Sequence, residues 1–388
     1  MNKFFLVLLS NRFISLISEY GYTILLNIII AQISIQFVML FWLIKALAAL
    51  LSMKISSNIF ITNKKAFLIT LEILKGAFIA FIIIFKTSYV VLFIVFLIEI
   101  INVLFNSTVY STVPKIIGEN KLIKFNSLYT SVGSISYFAA PLLVGLLIDT
   151  NENLLFFIYS FLLVLGAVTL LLLPGDLNGN ERDSKIKKEK VSFFGSFDII
   201  SKNNIVFNMF ITSLITGTLG VVFDAYEVIF IIDSLGVSKQ LYSFSLSFLA
   251  IVFLLVSFSV SFVKKITNFY KVYGFGFLLY LFYLIIFGNA TNIFMILVSY
   301  IFLAAGQIIL GVAETNYQQT HLNSQELNQI YTVSAVLNQF FGGMSVMLFG
   351  MIPLLSNNIR RTNMILSVIV VLISSVFFLS MISKKKEA

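Results

Sequence analysis

The chain reads as a succession of long apolar runs separated by short polar connections, as in Val90–Ile98 and Ile365–Phe378. These runs do not alternate with a period of two, as barrel strands facing lipid would. A spanning helix needs about 20 predominantly apolar residues. The pattern predicts twelve such helices, at 12–32, 35–57, 66–86, 88–113, 124–148, 153–174, 204–232, 241–263, 270–288, 292–318, 328–354 and 361–383. The most polar stretch, Pro174 to Asn204, carries Arg182, Lys185, Lys187, Lys188 and Lys190 and divides the predicted spans into two sets of six. Just before the seventh span, Ser192–Ser201 places Phe193, Phe194, Phe197 and Ile200 at helical spacing, which predicts a short helix lying on the membrane face.

Composition agrees with a lipid solvent. Of 388 residues, 59% are hydrophobic and 11% charged, where a soluble domain carries about 25% charged residues. Ordinary soluble domains and intrinsic disorder are therefore excluded. Cysteine is absent, so disulfide and thiol chemistry are absent too, and the lone His321 cannot build a histidine metal site. The net charge of +9 does not point to nucleic acid, because the lysines sit between apolar runs and orient the chain in a bilayer. With both termini inside, the outer face receives only Lys86, Lys239, Arg360 and Arg361, and the remaining loop cations lie within. Arg12 and Lys3 count among the inner ones. No small-residue cleavage site follows Met1–Ser10, so this stretch is read as the start of the first helix.

Ionisable residues inside spans are costly and mark function. The first span carries Ser15, Ser18, Glu19 and Tyr22 as one patch. On the fourth, Glu99, Asn102 and Asn106 stand at i, i+3 and i+7. On the tenth, Gln307, Gly311, Glu314 and Gln318 stand at i, i+4, i+7 and i+11. Asp224 and Glu227 share a face of the seventh span, and Glu72 and Lys75 can pair at i, i+3 in the third. Each stripe must face protein or water. Lys45 is either a partner for one of these carboxylates or a lysine snorkelling to the interface.

A short internal repeat adds to this picture. The fourth span ends at Asn106–Val113, followed by Glu119-Asn120-Lys121-Leu122, and the tenth ends at Glu314–Leu322, followed by Gln325-Glu326-Leu327. Two halves with matching features suit a transporter. The stretch from Pro114 to Gly145 is the most specific. It runs through Glu119-Asn120-Lys121-Leu122, Asn126-Ser127, Ser134-Ile135-Ser136-Tyr137 and Ala140-Pro141 to Gly145. On these residues the chain resembles the major facilitator superfamily, in the branch of drug–proton antiporters that includes macrolide efflux proteins. Pro141 and Gly145 resemble the glycine-rich antiporter element of the fifth span, with Ala140 and Val144 in place of two of its glycines. Glu72-Ile73-Leu74-Lys75 resembles the family's Asp-x-x-Arg, and Ser192–Ser201 its helix ahead of the seventh span. Between the second and third spans only the basic pair Lys64-Lys65 matches the family's acidic and basic loop motif.

The resemblance implies an all-α membrane protein with twelve transmembrane helices in two six-helix, pseudo-symmetric bundles around a central cavity. The domains would be 1–174 and 204–388, joined by a cytoplasmic linker at 175–203. It also implies that the first, fourth, seventh and tenth spans line the cavity. Glu19, Glu99, Asn102, Asn106, Asp224, Glu227, Gln307 and Glu314 would then serve proton coupling and substrate binding. Glu72, Lys75, Pro141 and Gly145 would serve gating and packing. The expected activity is proton-coupled efflux of an amphipathic, drug-like small molecule from the cell by a monomer without cofactor. Export of a peptide or siderophore-like product is the alternative within transport, and a non-transporting immunity or interaction protein the alternative outside it. No Gly-x-x-x-x-Gly-Lys-Ser/Thr loop is present to drive transport with ATP.

Overall fold

The computed structural model describes residues 3–58, 63–117, 122–175, 200–263, 268–322, 324–352, 364–365, 367–369 and 372. The described residues are almost entirely helical. In chain order the helices are α1 (Lys3–Ala31), α2 (Ile35–Asn58), α3 (Lys64–Phe85), α4 (Val90–Ile117), α5 (Leu122–Leu147) and α6 (Glu152–Leu170). They continue with α7 (Asn204–Ile229), α8 (Lys239–Ser261), α9 (Phe269–Gly288), α10 (Ile293–His321) and α11 (Ser324–Met351). Among the described residues, nine helices are long and apolar enough to cross a membrane. Most of the predicted twelfth span and of the helix at Ser192–Ser201 lies outside the described residues.

Local sequence explains where these helices begin. Asn63, Asn151, Asn203, Asn268 and Asn292 each take an extended conformation, and each side chain accepts a hydrogen bond from a backbone N–H of the first turn. This satisfies donors that a membrane helix would otherwise leave bare at its end. At the other end of α6, Lys65 Nζ donates to the carbonyls of Leu171 and Leu173 at 2.7 and 2.6 Å, where a cation also complements the helix dipole. The α-helical winding of α7 loosens into a π-turn at Phe230–Ser234, and the chain turns at Gly236 with φ of 68°.

As expected for Met1–Ser10, the first helix begins ahead of the apolar span at 12–32: α1 starts at Lys3 and runs unbroken for 29 residues. Asn11 and Arg12 look like a polar break in the sequence. They are instead interior turns of one helix, whose buried residues Asn11, Ser15, Ser18 and Tyr22 recur at i, i+4, i+7 and i+11.

The chain forms two units, 1–187 with 238–247 and 188–237 with 248–388. In the first, α1 packs on α5 and α6, α2 on α4, and α3 on α4 and α6. Its core gathers Phe5, Leu8, Leu68, Phe105, Phe125 and Leu170. In the second, α9 packs on α10 and α7 on α11. The α9–α10 crossing is close because both helices present glycine. A Cβ at Gly276 would stand 2.9 Å from the Leu310 backbone N, and one at Gly306 would stand 2.7 Å from that of Tyr280. Small residues at a helix crossing gain dispersion contacts that lipid cannot replace. Phe93, Phe157, Phe258, Phe282 and Phe294 remain exposed, as rings bathed in acyl chains would be.

Candidate functional site

Among the described residues of the first unit, the charged residues within the spans fall into three groups. The deepest joins α1 to α3. Lys75 is fully buried and lies 2.8 Å from Glu19 and 3.4 Å from Glu72. Its ammonium also donates to the Ser15 hydroxyl at 3.1 Å and lies 4.6 Å from the centre of the Phe105 ring. Asn11 donates to Glu72 at 3.4 Å and to the Gly166 carbonyl of α6 at 3.2 Å. Glu72 and Lys75 therefore do meet at i, i+3, but Glu19 belongs to the same cluster. One ammonium serves two carboxylates. Burying such charges is tolerable only while they stay paired.

The second group is Lys45 of α2 and Glu99 of α4, 3.0 Å apart and both largely buried. Lys45 also lies 5.4 Å from the Phe41 ring and 5.8 Å from that of Trp42. Of the two expectations for Lys45, the carboxylate partner is the one observed. Glu99 thus shares a helix with Asn102 and Asn106 but carries its own counter-ion.

Arg12 is the third; the sequence reading counted it only as an inner-face cation at the edge of the first span. It stands five residues from the α1 midpoint at Ile17, about 7.5 Å along the axis at 1.5 Å per residue. Its guanidinium donates to the Asn106 side-chain oxygen at 3.1 Å and sits 4.6 Å above the Tyr129 ring of α5. The Asn106 amide in turn donates to the Asn102 carbonyl at 2.9 Å. The i, i+4, i+7 pattern of Asn11, Ser15 and Ser18 was the signal that the helix continues through this position.

At one end of the same unit, Glu152 at the start of α6 accepts from Lys86 at 3.1 Å and from Lys239 at 3.2 Å. The turns 238–247 of α8 also approach α5. A Cβ on Gly145 would lie 2.7 Å from the Phe244 ring and 3.3 Å from the Gln240 carbonyl, and Ser247 donates to the Phe138 carbonyl at 3.4 Å. Pro141 is buried within α5. The expected transport should therefore fall several-fold in Gly145→Leu while membrane insertion persists. A transport assay normalised to protein level checks this, and full activity would mean that the approach of α8 to α5 is dispensable.

The second unit has a different electrostatic character. On α7, Glu227 is buried and accepts a hydrogen bond from the Tyr300 hydroxyl of α10, while Asp224 one turn earlier is exposed. On α10, Glu314 is half-buried and accepts from Gln318 at 3.2 Å, with Gln307 exposed two turns earlier. Among the described residues, none of these three carboxylates has a cationic partner, unlike Glu19, Glu72 and Glu99. They form no cluster of metal ligands among the described residues. Chemically they can accept a proton or face a cation.

A family model described as Major Facilitator Superfamily matches residues 4–350. Solved structures share the fold at low identity. A mutant of the nucleoside transporter NupG aligns with a TM-score of 0.77 at 12% identity, covering 98% of this chain and 99% of that one. A bacterial homologue of the human lysosomal transporter Spinster gives 0.74 at 14%, over 97% and 96%. The POT family transporter PepTSo gives 0.74 at 13%, over 99% and 98%. A search of curated proteins found no match.

Proposed function

The chain belongs to the major facilitator superfamily, a family of transporters and not of enzymes, and from that premise we propose that it is a proton-driven exporter. In this reading twelve helices form two six-helix bundles around a central cavity, with 1–174 and 204–388 as domains and 175–203 as a cytoplasmic linker. A monomer in the cell membrane moves an amphipathic small molecule by alternating access. The observation that carries it is the set of carboxylates in the second unit, Asp224, Glu227 and Glu314, which lack cationic partners among the described residues. Protonation of one of them removes a charge that held a cationic group and releases the substrate. Loss of the proton restores the charge for the next molecule.

The solved structures that share the fold include nucleoside and peptide transporters, so the fold by itself does not select the cargo. The decisive experiment is a susceptibility and accumulation panel of macrolides, cationic dyes, peptides and siderophores in cells with and without the protein. Lower accumulation of one class, abolished by a protonophore, supports the reading; equal accumulation of every class contradicts it. The reading also places both termini and the linker in the cytoplasm. A cysteine introduced at Ser184 in this cysteine-free chain should be shielded from an impermeant thiol reagent outside intact cells. Ready labelling would reverse the orientation.

A further inference from the structure

Among the described residues of the first unit, Lys45 and Lys75 each lie against a carboxylate, and Arg12 does not. Its contacts among the described residues are neutral: the Asn106 oxygen and the Tyr129 ring. Its Nε is buried without a hydrogen-bond partner, and so is the side-chain oxygen of Asn102, one turn before Asn106. The guanidinium points at α4 and α5. A cation this far inside a span is costly and is kept there for a counter-charge. The orphaned Nε donor adds a second cost, because an unmade hydrogen bond in a buried site loses the full desolvation of the group.

The geometry also selects the kind of counter-charge. A guanidinium presents donors in a rigid planar fork that matches a carboxylate or phosphate with two parallel hydrogen bonds. One donor edge of Arg12 is already tied to Asn106, and the ring of Tyr129 fixes the plane. The plane of the fork is therefore set, and an oxyanion meeting its open edge would not have to order the side chain; Nε itself has no accessible surface in this state. We infer that Arg12 is the binding site for an oxyanion group, a carboxylate or phosphate, on the amphipathic molecule this protein moves. The inference rests on the transporter reading and narrows its cargo to molecules that carry an acidic group, whatever cationic group they bear besides.

The test uses purified full-length protein and needs no transport. N-acetylphenylalanine and its amide form a matched amphipathic pair differing in one negative charge, and phenyl phosphate and inorganic phosphate separate the two oxyanion classes and the need for an apolar body. Each is titrated against modification of Arg12 by phenylglyoxal, read at its peptide by mass spectrometry, and against thermal stability. N-acetylphenylalanine or phenyl phosphate should protect Arg12 at a concentration at least about tenfold below that of the amide, the worth of one charged hydrogen bond. In the stability titration, Arg12→Gln should abolish the preference for the acid, and Arg12→Lys should retain part of it. The inference is overturned if acid and amide protect alike, if neither protects, or if Arg12→Gln still prefers the acid. Protection in a protein that moves none of the panel would sink the transporter reading and leave the site standing. Proton-driven export with no acid preference would do the reverse.

Discussion

Lys75→Met should be the most damaging single substitution in the first unit. Lys75 is the one ammonium between Glu19 and Glu72, at 2.8 and 3.4 Å, and both it and Glu72 are fully buried. Removing it leaves two carboxylates facing each other without a cation. Breaking a buried ion pair by deleting one partner costs about 3–5 kcal/mol, against a total stability of about 5–15 kcal/mol for a folded protein. We expect the variant to lose most of its monodisperse fraction in detergent on mild heating. Glu19→Gln and Glu72→Gln added to Lys75→Met should restore much of it, because glutamine keeps the shape and hydrogen bonding without the charge. Wild-type stability of Lys75→Met would show that water reaches the cluster. Failure of the triple variant to recover would show that Lys75 acts through packing on Phe105 rather than through charge.

Much of this arrangement was legible in the sequence. Unbroken apolar runs predicted the positions of most of the described helices within a few residues, because a bilayer demands a set length of apolar chain. The pairing of Glu72 with Lys75 followed from helical spacing alone. What the spacing could not supply was contact between helices. Glu19 lies on α1 and Lys75 on α3, and Glu99 on α4 meets Lys45 on α2. No periodicity within one helix reveals such a partner. The start of α1 within Met1–Ser10 was legible, but the contacts of Arg12 were not, because its partners Asn106 and Tyr129 lie on α4 and α5.

The second large effect concerns two glutamates that the sequence left equivalent. Glu99 and Glu314 each stand on a polar stripe, one in each half. The structure separates them: Glu99 is held by Lys45 at 3.0 Å, while Glu314 meets, among the described residues, the neutral Gln318 amide at 3.2 Å and no cation. Glu99→Gln would strand the Lys45 ammonium in the spans, so its main effect should be on stability. Combining it with Lys45→Met should recover folding. Glu314→Gln removes a charge that no described cation balances. It should leave folding intact and abolish uphill export, while binding and exchange of substrate persist. Equal loss of stability in the two glutamine variants would remove the distinction.

The central claim, that a carboxylate of the second unit carries the driving proton, is tested most directly in inverted membrane vesicles with an imposed pH gradient. The quantity measured is gradient-driven accumulation of the panel compound that cells export. The wild-type protein should accumulate it and lose the accumulation when the gradient collapses. Glu314→Gln, or the Asp224→Asn, Glu227→Gln double variant, should fall to the level of passive exchange. Undiminished, gradient-dependent accumulation in both variants would contradict the account.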